Sequence, residues 1–310
     1  MSAAAGAPGS GLTLRALLQV AVLALVWGCN WPVLKMGVSL LPPLTFRALT
    51  LPFAALGLLV VAKLSGESIR LPRRLWGEVA LLALLNIGGW NALVLFGVAQ
   101  LPAGRSVIIA YTMPIWTVLF SLVLLREPFG RRKAAGLVLG MAGLALLVGD
   151  DIRQLQRAPT AMLFILGAST CWALGTVLLR KWKPPLPPNA LSGWMMLLGW
   201  VPIALLAPAL APGPMPALTG GAWFAILYNV FLAGTLAHWA WFTLVRTLPV
   251  AVSSMASLPV PIVGVFAGML VLGERPGPWE WTALALVLCA MLAVLWPGRS
   301  AKPIVTAPSE

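Results

Sequence analysis

Polar side chains are scarce in this chain, and they recur at fixed spacings inside apolar runs. Trp27, Trp31 and Lys35 stand at i, i+4 and i+8 with Asn30 adjoining, and Trp172, Thr176 and Arg180 repeat that spacing 145 residues later. Asn86, Trp90 and Asn91 lie in one charge-free run, and Thr235, His238 and Trp241 share a helical face in another. Indole faces stack on apolar groups, amides and imidazoles hydrogen-bond polar ones, and a cation pairs with a carboxylate. That is the chemistry of recognising an amphiphilic solute. Bond-making chemistry is not visible, because there is one His and every Asp and Glu falls at a helix end or in a loop. Paired carboxylates, a Ser/His/Asp set and a metal cluster are all missing from the pattern, so an enzyme, a cofactor or a bound metal is not expected.

The elements that must position these groups are membrane helices. Of 310 residues, 60% are hydrophobic and 9% charged, and the mean hydropathy is +0.94. Such a chain has more apolar surface than a water-soluble domain of its length could hide. Charge-free runs long enough to cross about 30 Å of hydrocarbon predict ten helices. They are Ala16 to Met36, Leu44 to Lys63, Trp76 to Val98, Arg105 to Leu125, Ala134 to Gly149, Ala161 to Lys181, Asn189 to Leu210, Gly221 to Val245, Val252 to Leu272 and Glu280 to Trp296. The third and fourth meet in a tight turn at Leu101-Pro102, the eighth and ninth at Leu248-Pro249. Met1 to Thr13 has no basic n-region and the first run no small-residue cleavage site, so that run reads as an uncleaved span. Cys29, Cys171 and Cys289 fall inside predicted helices and read as packing residues rather than a disulfide framework.

Leu101-Pro102, Ser106, Pro114 and Glu127 reappear as Leu248-Pro249, Ser253, Pro261 and Glu274, each 147 residues on, and Asn91 and His238 keep the same interval. One unit is used twice. Five spans per unit, an odd number, turn the second copy upside down in the bilayer. The expected organisation is a cytoplasmic N-terminus over 1–15, a first unit over 16–149, a linker over 150–160, a second unit over 161–296 and a cytoplasmic tail over 297–310. With both termini inside, the loops divide fifteen Lys and Arg on the cytoplasmic side against six outside, which obeys the positive-inside bias. The net charge of +13 then answers to anionic lipids, and no nucleic acid is needed to explain it.

With its two inverted five-helix units, the Trp27-Gly28-Cys29-Asn30-Trp31 segment with Lys35, Arg47 opening the second helix, and Pro114 to Leu125-Arg126-Glu127 repeated at Pro261 to Leu272-Gly273-Glu274, the chain resembles the EamA-type branch of the drug/metabolite transporter superfamily. In the second copy the first element is degraded to Trp172-Ala173-Leu174-Gly175. The resemblance implies a bacterial inner-membrane carrier of amino acids or small metabolites, most often an exporter. It also implies that helices one, three, four, six, eight and nine surround a cavity, with five and ten peripheral. Its partners would be a small-molecule substrate and membrane lipids, as monomer or homodimer. Multidrug efflux and metabolite uptake are the alternatives within that class, and a non-transporting sensor or assembly factor the alternative outside it.

The substrate pathway expected from these readings comprises Asn30, Trp31, Trp90, Asn91, Tyr111, Pro114, Trp172, Thr176, Thr235, His238, Trp241, Ser257 and Pro261. Each has a plainer alternative. Ser106, Ala110, Pro114, Thr117 and Ser121 on helix four, and Ser253, Ser257, Pro261, Gly264 and Gly268 on helix nine, form small-residue stripes that serve close packing as well as a hinge. Tryptophans also build interfacial belts, and Lys35 and Arg180 could snorkel to opposite surfaces. Glu127 and Glu274, beside basic neighbours, read as loop ion pairs. His238 is the one group within a span that titrates near neutrality, leaving facilitated transport or antiport linked to its protonation. Fifteen tryptophans against two tyrosines suit an aromatic or bulky apolar cargo.

Overall fold

A computed structural model describes residues 14–154, 159–247 and 256–295. Every regular element among them is helical. Helix α1 (Leu14–Leu40) leads through a two-residue connection into α2 (Pro43–Leu64), which opens on a proline because the first N–H of a helix has no partner in any case. Next come α3 (Arg73–Gln100) and α4 (Ala103–Leu124), α5 (Arg131–Gln154), α6 (Pro159–Trp182) and α7 (Pro188–Leu210). Helix α8 spans 220–247, followed by α9 (Pro259–Leu272) and α10 (Pro278–Leu295).

Nine of these, among the described residues, are long and apolar enough to cross a membrane, while α9 is a shorter apolar helix. Its 14 residues reach about 21 Å. The expected ninth span from Val252 therefore differs: 252–255 lie outside the described residues, 256–258 form a turn, and the helix starts at Pro259. Pro259 and Pro261 explain that start, since neither can donate to a preceding carbonyl. The Leu248-Pro249 turn and Ser253 also lie outside the described residues. The expected linker over 150–160 is shorter than its bounds, because α5 continues to Gln154 and α6 begins at Pro159.

Two further departures from straight helices bear on the site. Helix α4 breaks after Ala110 and resumes at Met113-Pro114, because Pro114 supplies no N–H to the turn before it. Helices α3 and α8 each widen into a π-helical stretch, Leu84–Gly89 and Tyr228–Leu236. Shifted by 147 residues, the first falls within the second. The backbone thus repeats the sequence's duplication at a distortion that composition does not announce.

Packing sorts the helices into pairs. Helix α2 lies along α7, α5 along α10, α1 along α9, and α3 along α6. The half of α4 next to the Leu101-Pro102 turn packs on α9, α6, α1 and α10, whereas the half beyond the break packs on α6, α5 and α10 without α1 or α9. Leucine, isoleucine, valine and alanine dominate the two large buried clusters, and small residues let helices come close. At Gly175 only a hydrogen fits, because Asn86 Oδ1 occupies the place of a side chain.

Candidate functional site

At the turn between α3 and α4 the last carbonyls of one helix and the first N–H groups of the next are left without intrahelical partners. Both sets are taken by charged side chains from elsewhere in the chain. Lys35 Nζ donates to Val98 O at 2.8 Å and to Ala99 O and Leu101 O at 3.0 Å. Glu274 accepts from Ala103 N at 2.6 Å and Gly104 N at 2.9 Å. A cation at a helix C-terminus and an anion at an N-terminus each lie on the favourable end of a helix dipole. Gly268 makes room for the carboxylate, since a Cβ there would sit 2.6 Å from Glu274 Oε2. A cleft of about 420 Å³ opens over the turn, lined by Lys35, Gln100, Leu101, Pro102 and Glu274 among others. Lys35 therefore does not snorkel: its three ammonium protons are engaged. Glu274 is likewise a helix cap, not the loop ion pair with Arg275 that its neighbours suggested.

The matching groups of the other copy behave differently. Glu127 pairs with Lys133 at 2.7 Å and with Arg180 at 2.9 Å, and Arg180 is 56% exposed. The Lys133 hydrogen bond, reinforced by the charge of Arg180, holds the Glu127 carboxyl below the usual carboxylate range.

Between these ends the polar groups turn mostly toward backbone. The α4 break frees carbonyls at Ile109 and Ala110, and Ser169 Oγ from α6 donates to Ala110 O at 3.0 Å while Thr112 Oγ1 takes Ile109 O at 2.7 Å. Asn91 Nδ2 donates to Ile87 O at 2.9 Å and Thr235 Oγ1 to Val230 O at 2.8 Å, each within its π-widened helix. His238 Nδ1 lies 3.0 Å from Ala233 O, a contact that requires the proton on Nδ1. Thr176 bonds Trp172 O in its own helix.

The aromatic residues form two related seams. Trp27 of α1 meets the ring edge of His238 at 5.4 Å and tilts over Trp241 at 6.0 Å, and its Nε1 donates to Ala233 O at 3.2 Å. Trp90 of α3 meets Trp172 of α6 at 5.2 Å. Thr235 does not join the first seam, because its side chain presses on Gly57 of α2. Trp31 is buried against Gly264 of α9, and Tyr111 is buried in the same large cluster. Asn30 Oδ1 is buried without a hydrogen-bond partner, as is Asn86 Oδ1. Pro261 is buried in the first turn of α9, Pro114 is half-buried, and Ser257 sits in the turn before α9, where its carbonyl accepts from Val260 N. Hydroxyls of Ser106, Thr117 and Ser121 bond their own helix.

Two cations near the starts of α2 and α4 are buried. Arg105 pairs with Glu280 at 2.8 Å and reaches Leu147 O at 2.7 Å, joining α4 to α10 and α5. Arg47 donates from Nη1 to Asn229 Oδ1 at 2.9 Å. Sequence reasoning missed Asn229 and Ser169. An amide inside the uncharged run Pro184 to Val245 was the available signal for the first; nothing in the pattern marked the second.

Comparison with known proteins gives a consistent picture. The model of the EamA-like transporter family matches twice, at residues 14–149 and 159–296. The uncharacterized transporter YoaV of Bacillus subtilis is 24% identical over 84% of this chain and 90% of its own length. The uncharacterized inner membrane transporter YedA of Escherichia coli K12 is 28% identical over 91% of this chain and 92% of its own. A solved crystal structure aligns at TM-score 0.65 and 20% identity over 90% of this chain and 96% of that one, a likeness of fold.

Proposed function

The chain belongs to the EamA-like transporter family, and from that premise we propose that this multi-pass membrane protein exports amino acids, aromatic ones among them, or similar small metabolites from a bacterial cell by alternating access. In this reading the two units over 16–149 and 161–296 make ten crossings, the copies are inverted, and both termini face the cytoplasm. The inner membrane is its place, by analogy with the name of the Escherichia coli relative.

Inversion is supported by where helices begin and end. Helix α1 stops at the end of the molecule where α6 starts: Lys35 caps the last turn of α3, and Gly97 in that turn packs on Ala161. The one observation that carries alternating access is the unequal packing of α4. Both halves pack on α6 and α10, but only the half at the capped turn is also closed against α1 and α9. A carrier must be sealed at one face while loosened at the other. On the charge bias the sealed end is the outside, so the conformation described is the inward-facing one.

An untargeted comparison of medium and cytosol, with and without the protein, identifies the cargo. Counterflow of that labelled cargo into proteoliposomes then tests carriage, with an imposed pH step as a second arm. Counterflow no faster than in empty liposomes would remove the reading. A pH-driven flux that survives His238→Ala excludes the histidine as proton carrier.

A further inference from the structure

Arg47 points the wrong way for a surface anchor. It lies in the first turns of α2, which begins at Pro43, and a long cation so near a helix end ordinarily turns back to the near surface. Instead its guanidinium reaches Asn229, which lies about 13 Å along α8 from Gly220 at 1.5 Å per residue. The side chain is 7% exposed. Within the bilayer, an ionisable group held inward marks a functional site when no counter-charge accounts for it. None of the carboxylates in the ion pairs described is its partner.

The way the guanidinium is held specifies what it can take. Asn229 Nδ2 donates to Ala225 O at 3.0 Å, which fixes the amide and aims Oδ1 at Arg47 Nη1. The opposite edge of the fork is left over: Nε is buried without a hydrogen-bond partner, and among the described residues the one side-chain hydrogen bond of Arg47 is the one from Nη1. Nε and Nη2 together are the edge that accepts a carboxylate side-on through two parallel bonds. One helical turn along α8 is Ala233, whose carbonyl holds the Trp27 indole, and that indole faces His238 and Trp241. The residue that holds the guanidinium thus lies one helical turn from the carbonyl that anchors an aromatic wall whose members are half-buried rather than sealed.

The geometry points to Arg47, positioned by Asn229, as the recognition point for the carboxylate of an amphiphilic cargo whose apolar part lies along Trp27 and Trp241. This rests on the transport reading, and it moves the anion contact from Lys35, whose protons are engaged elsewhere, to a residue on α2. The carboxylate and the chain make a reversible ion pair; no covalent step is involved.

Binding is measured on the full-length protein in detergent, by ligand-induced thermal shift and calorimetry. The probes are phenylalanine, phenylalaninamide, 3-phenylpropionate and 3-phenylpropionamide, tested on the wild type, Arg47→Gln, Arg47→Lys and Asn229→Ala. The carboxylates should bind the wild type at least tenfold tighter than their amides. Arg47→Gln should abolish that difference, and Arg47→Lys, which keeps the charge without the fork, should reduce it. Equal responses to acid and amide, or no response to either acid, would overturn the proposal. So would an acid preference that persists in Arg47→Gln, whether or not that variant is less stable, because it would make Arg47 a helix tie only. Lys35→Met serves as the contrast and should keep the acid preference. Counterflow of the bound acid separates the two readings: binding without carriage retains the Arg47 site and removes transport, while carriage with an Arg47-independent acid preference does the reverse.

Discussion

Glu127 and Glu274 each follow a helix that ends in the same backbone device. The residue before each carboxylate is left-handed, Arg126 at φ 52° and Gly273 at φ 67°. The N–H of each Glu bonds back six residues, to Ser121 O and Gly268 O at 3.3 Å. What the carboxylates then meet is different. Glu274 takes two free N–H groups at the start of α4, and Lys35 takes the carbonyls on the other side of the same turn. Glu127 takes the part-exposed Lys133 and the exposed Arg180, and the turn that would correspond to Leu101-Pro102 lies outside the described residues. Helix ends are stationary partners with no side-chain freedom to lose, whereas two long cations at a wet surface give up rotamers and are screened. Two copies of one motif therefore hold with unequal strength, and under the alternating access proposed above that inequality would let one end close while the other opens.

The comparison breaks most directly at Glu274. Replacing Glu274 with Ala strands Ala103 N and Gly104 N, and should lower unfolding stability in detergent by about 2 kcal/mol; Glu127→Ala should cost well under half of that. With Cys289→Ser as background, Glu274→Ala should also raise labelling of the half-buried Cys29 and Cys171 by a membrane-impermeant maleimide, and unchanged labelling would mean that the turn is no gate. Gly268→Ala attacks the same cap without altering charge. Its Cβ would meet Glu274 Oε2 at 2.6 Å, and a loss of about 1 to 2 kcal/mol in the same assay is expected from overpacking.

Smaller effects sharpen the contrast. Arg126→Gly relieves a left-handed residue that its counterpart Gly273 already tolerates, and should raise stability by up to about 1 kcal/mol, read as a higher melting temperature. For Glu127 the expectation is a pH dependence. Its carboxyl is held below the usual range, chiefly by Lys133, so its contribution is fully present above the ordinary carboxylate pKa and fades as pH falls through the depressed one. The pair is part-exposed, at 25% and 26%, so the change should be a few tenths of a kcal/mol. A melting series from pH 7 to pH 3 on the wild type and Glu127→Gln checks it, the difference between the two vanishing at the acid end.

Much of the fold was legible because bilayer burial demands long apolar helices and little else. Nine of the expected runs correspond to helices of crossing length, and the 147-residue interval that relates Asn91 to His238 also relates the two π-helical stretches. The candidate site was legible as a list of residues but not as an arrangement. Trp27 with Trp241 and Trp90 with Trp172 do meet, yet Asn91 and Thr235 turn to their own backbone, because a widened helix leaves carbonyls that a nearby donor will take. Arg47 and Lys35 were indistinguishable in sequence, each a cation near a helix end. Only the positions of Asn229 and of the α3 carbonyls separate an arginine with a free fork from a lysine with none.

Sequence by itself determined the solvent, the helical class and the duplication, since these follow from composition and spacing along one dimension. Which acid caps which helix, which cation keeps an unsatisfied edge and which half of α4 packs on α1 and α9 were decided by tertiary structure. Those contacts join residues more than 170 positions apart, at Glu274 with Ala103 and at Arg47 with Asn229. Their worth lies in distances of a few ångströms, a scale on which periodicity in the chain carries no information.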